Sequence, residues 1–571
     1  MAQCIKSGVS NPRAIRLIAL GLVWWPLATF TAQSQESVQN AAIASAHPFA
    51  TEAGYEIIKK GGNAFDAAIA VAAALAVVEP YASGLGGGGL WLLHRASDGK
   101  QVMLDARETA PARAGAGLYL DEQGRVVPKA SLRGPKAAAI PGVPAALEHL
   151  AKYYGKLPLA VSLAPAIGYA HSGVQVDARY IAICRRFNSQ LTGSARRLFL
   201  DYGDVPRRGF ILRQEALAVT LRAIAAGGSE RFYQGVMAQE MVAAVQAGGG
   251  IWTLGDLRNY RVVERQPLNF AYRSLRITSA PLPSAGGLAL AQSFNILARL
   301  PYTAAAPDGR AHFVIEALRR AYQDRARYLG DSDFVSVPLA RLLSGEYAAS
   351  QAATIDPYFA TPSVEPEDEP VATNEGSNTT HYSIVDRDGN RVAATLSINT
   401  PFGSGFVAGG TGVLLNNEMD DFSAAPGVSN VYRLQSFSGN EIAPGKRPLS
   451  SMSPTFVEDE RGILILGTPG GSRIISTVLL AILDYLDRPQ LDLQAMLRAP
   501  RYHHQYLPDR VEIEPEGFSQ DWIEKLQDRG YVVLKGGRRW GNIQAVYIDK
   551  NSRHALAVSD PRGKVGGVSD Y

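Results

Sequence analysis

Residues 378–398, NTTHYSIVDRDGNRVAATLSI, decide how this chain is to be read. HYSIVD and RVAATLSI are strand-like runs on either side of an Asp-Gly turn, the pattern of a β-hairpin. A turn symmetric about Asp388 makes Thr379 face Ser397, His381 face Thr395 and Ser383 face Ala393. Period-two alternation then puts Ser397 and Asn399 on the Thr379 face, whereas a one-residue slip would turn them away. The preceding stretch, Thr361–Gly376 (TPSVEPEDEPVATNEG), is acidic, Pro-rich and unable to bury a core. Thr379 thus stands where a soft linker meets a rigid strand. An internal threonine is a poor nucleophile, but a cut before Thr379 would create an α-amino group able to serve as its general base. Spacing alone leaves a plain polar-faced strand as the other reading.

At 571 residues the chain exceeds one ordinary core, so two domains or two interleaved segments are expected. Lys6, Arg13 and Arg16 precede an apolar run, Leu17 to Ala32, that Pro26 interrupts and QSQES follows. That run is short for a membrane span and suits a secretory signal peptide over 1–32, with an uncleaved anchor as the alternative. Losing the leader removes three cations from a formal charge of +4 and leaves +1, so nothing marks a nucleic-acid surface. Cys4 would leave with it, and Cys184 alone cannot form an internal disulfide.

From Ala41 the chain reads as helices and strands. Thr51–Lys60, stopped by Gly61-Gly62, is a short amphipathic helix, and Ala64–Val78, apolar all round, is a buried one. Leu90–His94 and Gln101–Asp105 read as buried strands. Beyond Pro141 the patterns are mostly helical, at Ala145–Tyr153, Gln214–Ala226, Val236–Ala247 and Arg310–Leu329. After the hairpin, strands are expected at Gly412–Leu415, Thr455–Val457, Ile463–Leu466 and Ala545–Ile548, with a helix at Ile474–Leu486. Helices beside strand-rich regions in both halves predict a layered fold spanning the linker.

Gly84–Gly89 (GLGGGG) has dinucleotide-fingerprint spacing, with Asp105 downstream, but a helix precedes it and strands follow, the reverse of what that site needs. These glycines fit close backbone approach or positive φ. Arg107 reads either as a surface salt bridge to Asp105 or Glu108, or as a guanidinium fork for a substrate carboxylate. Asn416–Phe422 (NNEMDDF) lacks calcium-loop spacing and fits a turn, or a grip on an ammonium group. Ser423–Arg447 carries Tyr432 and has the length of a lid or of a disordered loop. Ser450 and Ser451 place adjacent hydroxyls beyond it. Gly470 and Gly471 precede the Ile474 helix, where their N–H groups suit an oxyanion hole or a plain turn. HExxH, CxxC, GxSxG and Walker patterns are missing, and His503-His504 has no partners at zinc spacing.

Taken together these residues resemble the gamma-glutamyltransferases, also called gamma-glutamyl transpeptidases or glutathione hydrolases, of the N-terminal nucleophile hydrolase superfamily. The resemblance runs from about Ala41 to Tyr571 through GGNAFDAA, GLGGGG, the R-E-x-A-P-A block, TTHYS, NNEMDDFS, KRPLSSMSPT, PGGSRI, APRYHHQ and SDPR. It implies an α+β fold, a four-layer αββα sandwich built from both products of one cleavage. The implied cut lies between Asn378 and Thr379. It would give a large subunit, 33–378, ending in the linker 361–378, and a small catalytic subunit, 379–571. Carried over by position, the resemblance makes Thr379 the nucleophile with Ser397 beside it, and Gly470 and Gly471 the oxyanion donors. Arg107, Ser450 and Ser451 would hold a glutamyl α-carboxylate, Asn399, Glu418 and Asp421 its α-amino group, and Tyr432 would sit on the lid. Ser397 stands where the family usually has threonine, keeping the hydroxyl and losing a methyl.

The implied reaction cleaves the γ-glutamyl bond of glutathione and related compounds and passes the group to water or to amino acid or dipeptide acceptors. No metal, cofactor or nucleic acid is implied, and the compartment would be the bacterial periplasm. Two alternatives stand beside it: an acylase acting on β-lactam amides, and a secreted binding protein that keeps the fold alone.

Overall fold

The computed structural model describes residues 37–364, 379–563 and 566–570. The leader, 1–32, and the linker from Glu365 to Asn378 lie outside the described residues. In chain order the strands of the two large sheets are β1 (Ala42–Ser45), β2 (Gly88–Arg95), β3 (Lys100–Ala106), β4 (Val263–Arg265), β5 (Leu268–Tyr272), β6 (Leu275–Ser279) and β7 (Thr380–Val385). They continue with β8 (Arg391–Ser397), β9 (Thr455–Glu458), β10 (Gly462–Gly467), β11 (Gln544–Asp549), β12 (Ala555–Ser559) and β13 (Gly567–Asp570). The first sheet is ordered β13-β1-β7-β8-β2-β3-β4 and the second β12-β11-β10-β9-β6-β5. All neighbouring strands within them are antiparallel.

Five helices matter for the site: α1 (Pro48–Lys59), α2 (Ala64–Val78), α3 (Gly286–Leu297), α4 (Pro307–Tyr328) and α5 (Arg473–Asp487). Alternation along the strands sorts side chains between two cores. Ile43, Trp91 and Ile384 join the core under α1 and α2, whereas Ala44, Leu92 and Val385 join the core shared with the second sheet and α3–α5. The order is therefore helices, sheet, sheet, helices, the αββα sandwich expected from the resemblance. Ile43 and Ile384 are fully buried, each burial contributing about 2 kcal/mol. Every residue of α2 is buried, as its all-round apolar composition requires.

The β7–β8 hairpin forms in the expected register, with His381 opposite Thr395 and Ser383 opposite Ala393. Its turn is held by Asp386, whose carboxylate accepts the Asn390 N–H at 2.9 Å, and by Gly389 at φ 87°. The other Asp386 oxygen accepts the Ala64 N–H at 2.8 Å, so the same turn caps α2 and fixes the hairpin against it.

The structure departs from the sequence reading in three places. Residues 263–279, read as part of a mostly helical region, form β4, β5 and β6. The β5–β6 turn places Arg273 at φ 52°, with none of the Asn-Gly or Asp-Gly pairs that announce a hairpin. Gly412–Leu415 is not a strand, because Gly412 sits at φ 73° and breaks the pleat, leaving isolated bridges from Leu414 and Leu415. The start of the linker is docked: the Thr361 N–H donates to Glu316 at 3.2 Å and the Ser363 N–H to Asp509 at 2.7 Å.

Candidate active site

Thr379 immediately precedes β7 and is buried, with φ at 150°. Its Oγ1 lies 3.2 Å from Oγ of Ser397, at the end of β8. The Ser397 hydroxyl oxygen also accepts the Asn399 N–H at 2.8 Å. Asn399 does not reach this spot by strand alternation. At φ 71° it is left-handed, so the pleat ends at Ser397 and a turn brings Asn399 back beside it. Its amide donates to the Asn417 carbonyl at 2.9 Å, which ties the hairpin to the NNEMDDF segment.

The glycine run supports this junction by close approach. A Cβ on Gly87 would lie 2.1 Å from the Ser397 carbonyl oxygen, and one on Gly86 2.0 Å from that of Leu414. None of Gly84–Gly89 has positive φ, so of the two readings close approach holds.

Arg107 is almost fully buried, which removes the surface-salt-bridge reading. Asp105 instead accepts the Arg107 backbone N–H at 2.8 Å and pairs with Arg265 at 2.7 Å. The Arg107 guanidinium reaches Glu418 at 2.7 Å, Asp421 at 2.5 Å and Glu108 at 3.6 Å. Burial opposes its charge, but the carboxylates of Glu418, Asp421 and Glu108 outweigh that and hold the proton more tightly. Burial pushes the Glu418 carboxyl up to about 7, with Arg107 pulling the other way. Burial also pushes Glu108 well above the usual carboxylate range. Glu108 therefore keeps its proton and Glu418 is poised near neutrality, so the charge of Arg107 is shared between Glu418 and Asp421. A ligand that brings an ammonium and a carboxylate would pair with these acidic groups through the first and with Arg107 through the second.

The Arg107 Nε donates to the Pro448 carbonyl at 3.2 Å, which places Ser450 and Ser451 just along the chain from the guanidinium. Ser450 is fixed by its N–H to the Pro283 carbonyl at 2.8 Å. Its hydroxyl oxygen accepts the Met452 N–H at 3.1 Å.

Gly470 and Gly471 adopt φ of 146° and 57° directly before α5. Their carbonyls accept the first N–H groups of that helix, from Arg473 at 3.1 Å and Ile474 at 3.2 Å. Their own N–H groups donate to no other described residue. Tyr432 covers this turn, since a Cβ on Gly471 would fall 2.4 Å from its ring. The Tyr432 hydroxyl donates to the Asn399 carbonyl at 2.8 Å. The loop is pinned again where Asn430 donates to Asp421 at 3.2 Å and the Val431 N–H to Asp420 at 2.9 Å.

The structure thus joins Thr379, Ser397, Asn399, Tyr432 and Gly471 by direct contacts, and Arg107, Glu418 and Asp421 by ion pairs. Asn378 lies outside the described residues. Sequence reasoning missed Asp420, which accepts the Ser131 hydroxyl at 2.6 Å as well as the Val431 N–H. Burial raises its carboxyl to about 7. Two adjacent aspartates carry no sequence signal that assigns one to the Tyr432 loop and the other to Arg107. Gln505 was missed too, although it stands in the APRYHHQ block.

The sequence profile described as Gamma-glutamyltranspeptidase matches residues 50–569. The chain is 42% identical over 554 residues to a glutathione hydrolase proenzyme of Pseudomonas sp. (strain A14), covering 94% of this chain and 96% of that protein. It is 41% identical over 528 residues to the glutathione hydrolase proenzyme of Escherichia coli (strain K12), covering 91% and 90%. In three dimensions it is similar to the crystal structure of a cephalosporin acylase from Bacillus halodurans, with TM-score 0.81, 30% identity and coverage of 93% and 96%. A profile match over nearly the whole described chain, with such identity along nearly the full length of two proenzymes, leads to one conclusion: the chain belongs to the gamma-glutamyltranspeptidase family.

Proposed function

We propose that this chain is an autoprocessed gamma-glutamyltransferase. It cleaves the γ-glutamyl amide of glutathione and related compounds through a γ-glutamyl-Thr379 ester and passes the group to water or to an amino acid or peptide amine. The observation that carries the reading is the 3.2 Å approach of the Thr379 and Ser397 hydroxyls at a strand start.

In maturation, Thr379 Oγ attacks the Asn378 carbonyl carbon. The C–O bond forms as the C–N bond breaks, the hydroxyl proton passes to the departing Thr379 nitrogen, and water then hydrolyses the ester, leaving a carboxylate on Asn378 and a free amine on Thr379. Residues 1–32 are the leader of an exported, periplasmic protein. Residues 33–378 become the large subunit and 379–571 the small one. The two remain together because strands from both sides of the cut make up each sheet.

In the mature site the Thr379 amine, directly or through water, accepts the Oγ proton as Oγ attacks the γ-carbonyl. The Gly470 and Gly471 N–H groups receive the oxyanion, and the proton passes to the leaving amine. Water or an acceptor amine then attacks the ester and frees Thr379. Arg107, Ser450 and Ser451 hold the α-carboxylate, while Glu418, Asp421 and Asn399 hold the α-ammonium. The ligand's two charges replace the contacts that Arg107 and the carboxylates make with each other. Tyr432 closes the pocket.

The test compares a chromogenic γ-glutamyl anilide with a glutaryl amide of the same leaving group, which lacks the α-amino group. Turnover of the first and not the second supports this reading, and the opposite preference makes the chain an acylase.

A further inference from the structure

The APRYHHQ block contains His503 and Gln505, to which the reaction above gives no part, yet both are buried between the lid and α5. The Gln505 side-chain amide nitrogen lies 3.0 Å from the Tyr432 carbonyl, 3.2 Å from that of Arg433 and 3.1 Å from that of Leu507, three acceptors that share its two hydrogens. Its nitrogen must face those acceptors, so its oxygen is the atom that lies 2.8 Å from His503 Nε2. That assignment puts the imidazole proton on Nε2 and leaves Nδ1 bare. Nδ1 then accepts the Ser476 hydroxyl, 2.8 Å away on the first turn of α5, in preference to the Arg473 carbonyl that the same hydroxyl meets at 3.2 Å. Burial keeps His503 neutral by pulling it down to about 4, so this tautomer holds across the neutral range.

At the lid end, the two carbonyls belong to a strained turn, with Arg433 at φ 60°. At the helix end, Ser476 follows Gly470 and Gly471 within one turn of α5. Tyr322 braces the same point, its ring edge-on to His503 and its hydroxyl donating to the Ser472 carbonyl at 2.5 Å.

We propose that Gln505, His503 and Ser476 form a positioning relay that holds the Tyr432 lid closed and links its position to the helix carrying the oxyanion turn. None of the three touches the reacting atoms. Their effect is on how firmly a bound γ-glutamyl group is enclosed, so the inference rests on Tyr432 being the lid of that site.

The test has one readout of lid closure and one of substrate. Trypsin cleavage after Arg433 in the native, processed enzyme reports lid opening whatever the substrate is. KM and kcat for a γ-glutamyl anilide report the consequence. Gln505→Ala is expected to speed cleavage after Arg433 and to raise KM about tenfold, as for losing one or two net hydrogen bonds, with kcat changed far less. Ser476→Ala should move both readouts in the same direction, Ser476→Thr should restore them, and adding Ser476→Ala to Gln505→Ala should change little further. Additive effects of the two substitutions, or unchanged trypsin cleavage and KM with only a lower Tm, would overturn the relay. If Gln505→Ala does not accumulate, the Ser476→Ala and Ser476→Thr pair carries the same decision. Trypsin sensitivity that rises as expected while no γ-glutamyl compound turns over would uphold the relay and sink the substrate reading instead.

Discussion

The Thr379 and Ser397 hydroxyls meet at the open end of a hairpin whose closed end, Asp386–Asn390, is fixed to the N-terminus of α2. The hydroxyl that faces Thr379 is therefore set by strand register and held from the far end of the hairpin. Ser397→Ala removes the hydroxyl that lies 3.2 Å from Thr379 Oγ1. The expected result is a kcat about 10–100-fold lower with KM little changed, and slower maturation, as for losing a hydrogen bond to a group that gains charge. Ser397→Thr keeps the hydroxyl and should stay close to the parent; steady-state kinetics on processed protein checks both.

Arg107→Lys keeps a charge but loses the planar fork that reaches Glu418 and Asp421 together. The expected loss is about 2–3 kcal/mol in kcat/KM, mostly through KM, as for a charge-assisted hydrogen bond removed. A rise in KM for γ-glutamyl donors without change for compounds that lack an α-carboxylate would locate the effect at that group. Equal losses for both would assign Arg107 a structural role only.

Gly471→Ala places a Cβ against the Tyr432 ring at a residue whose φ is 57°. The clash and the strain both displace the turn proposed to receive the oxyanion. Loss of one donor's alignment costs about 2.7–4 kcal/mol, a kcat lower by about 10²–10³-fold. Circular dichroism and the subunit pattern should be unaltered, since the change lies in a turn.

Asp420 gives a pH signature. Its carboxyl is raised by burial from 3.8 to about 7. The folded protein therefore keeps a proton that the unfolded chain releases. The stability this supplies is fully present below pH 3.8 and is lost as pH rises through about 7. Relative to Asp420→Asn, the parent should lose up to about 4 kcal/mol of stability across that window. Denaturant unfolding of both proteins at several pH values measures it, and a pH-independent difference between them would contradict the assignment.

Much of the architecture was legible because the strongest signals are local. The Asp-Gly turn set the β7–β8 register, and the all-apolar run Ala64–Val78 gave a buried helix with the same limits in the structure. What sequence could not supply was contact between distant segments. Asp420 bonds Ser131 and Val431, which no spacing rule relates. Arg107 could be read as a fork or as a surface pair, and its burial among three carboxylates depends on Glu418 and Asp421 arriving from beyond the linker. Asn399 fell in the expected place for a different reason, a left-handed turn where alternation had been assumed.

The central claim is that Thr379 cuts the chain before itself and becomes the nucleophile. Intact-mass analysis of purified parent and Thr379→Ala proteins tests it most directly. The account predicts a parent fragment that begins at Thr379 and ends at Tyr571, with the variant left as one uncut chain. A fragment boundary elsewhere, or a Thr379→Ala protein that still separates into two subunits, would contradict it.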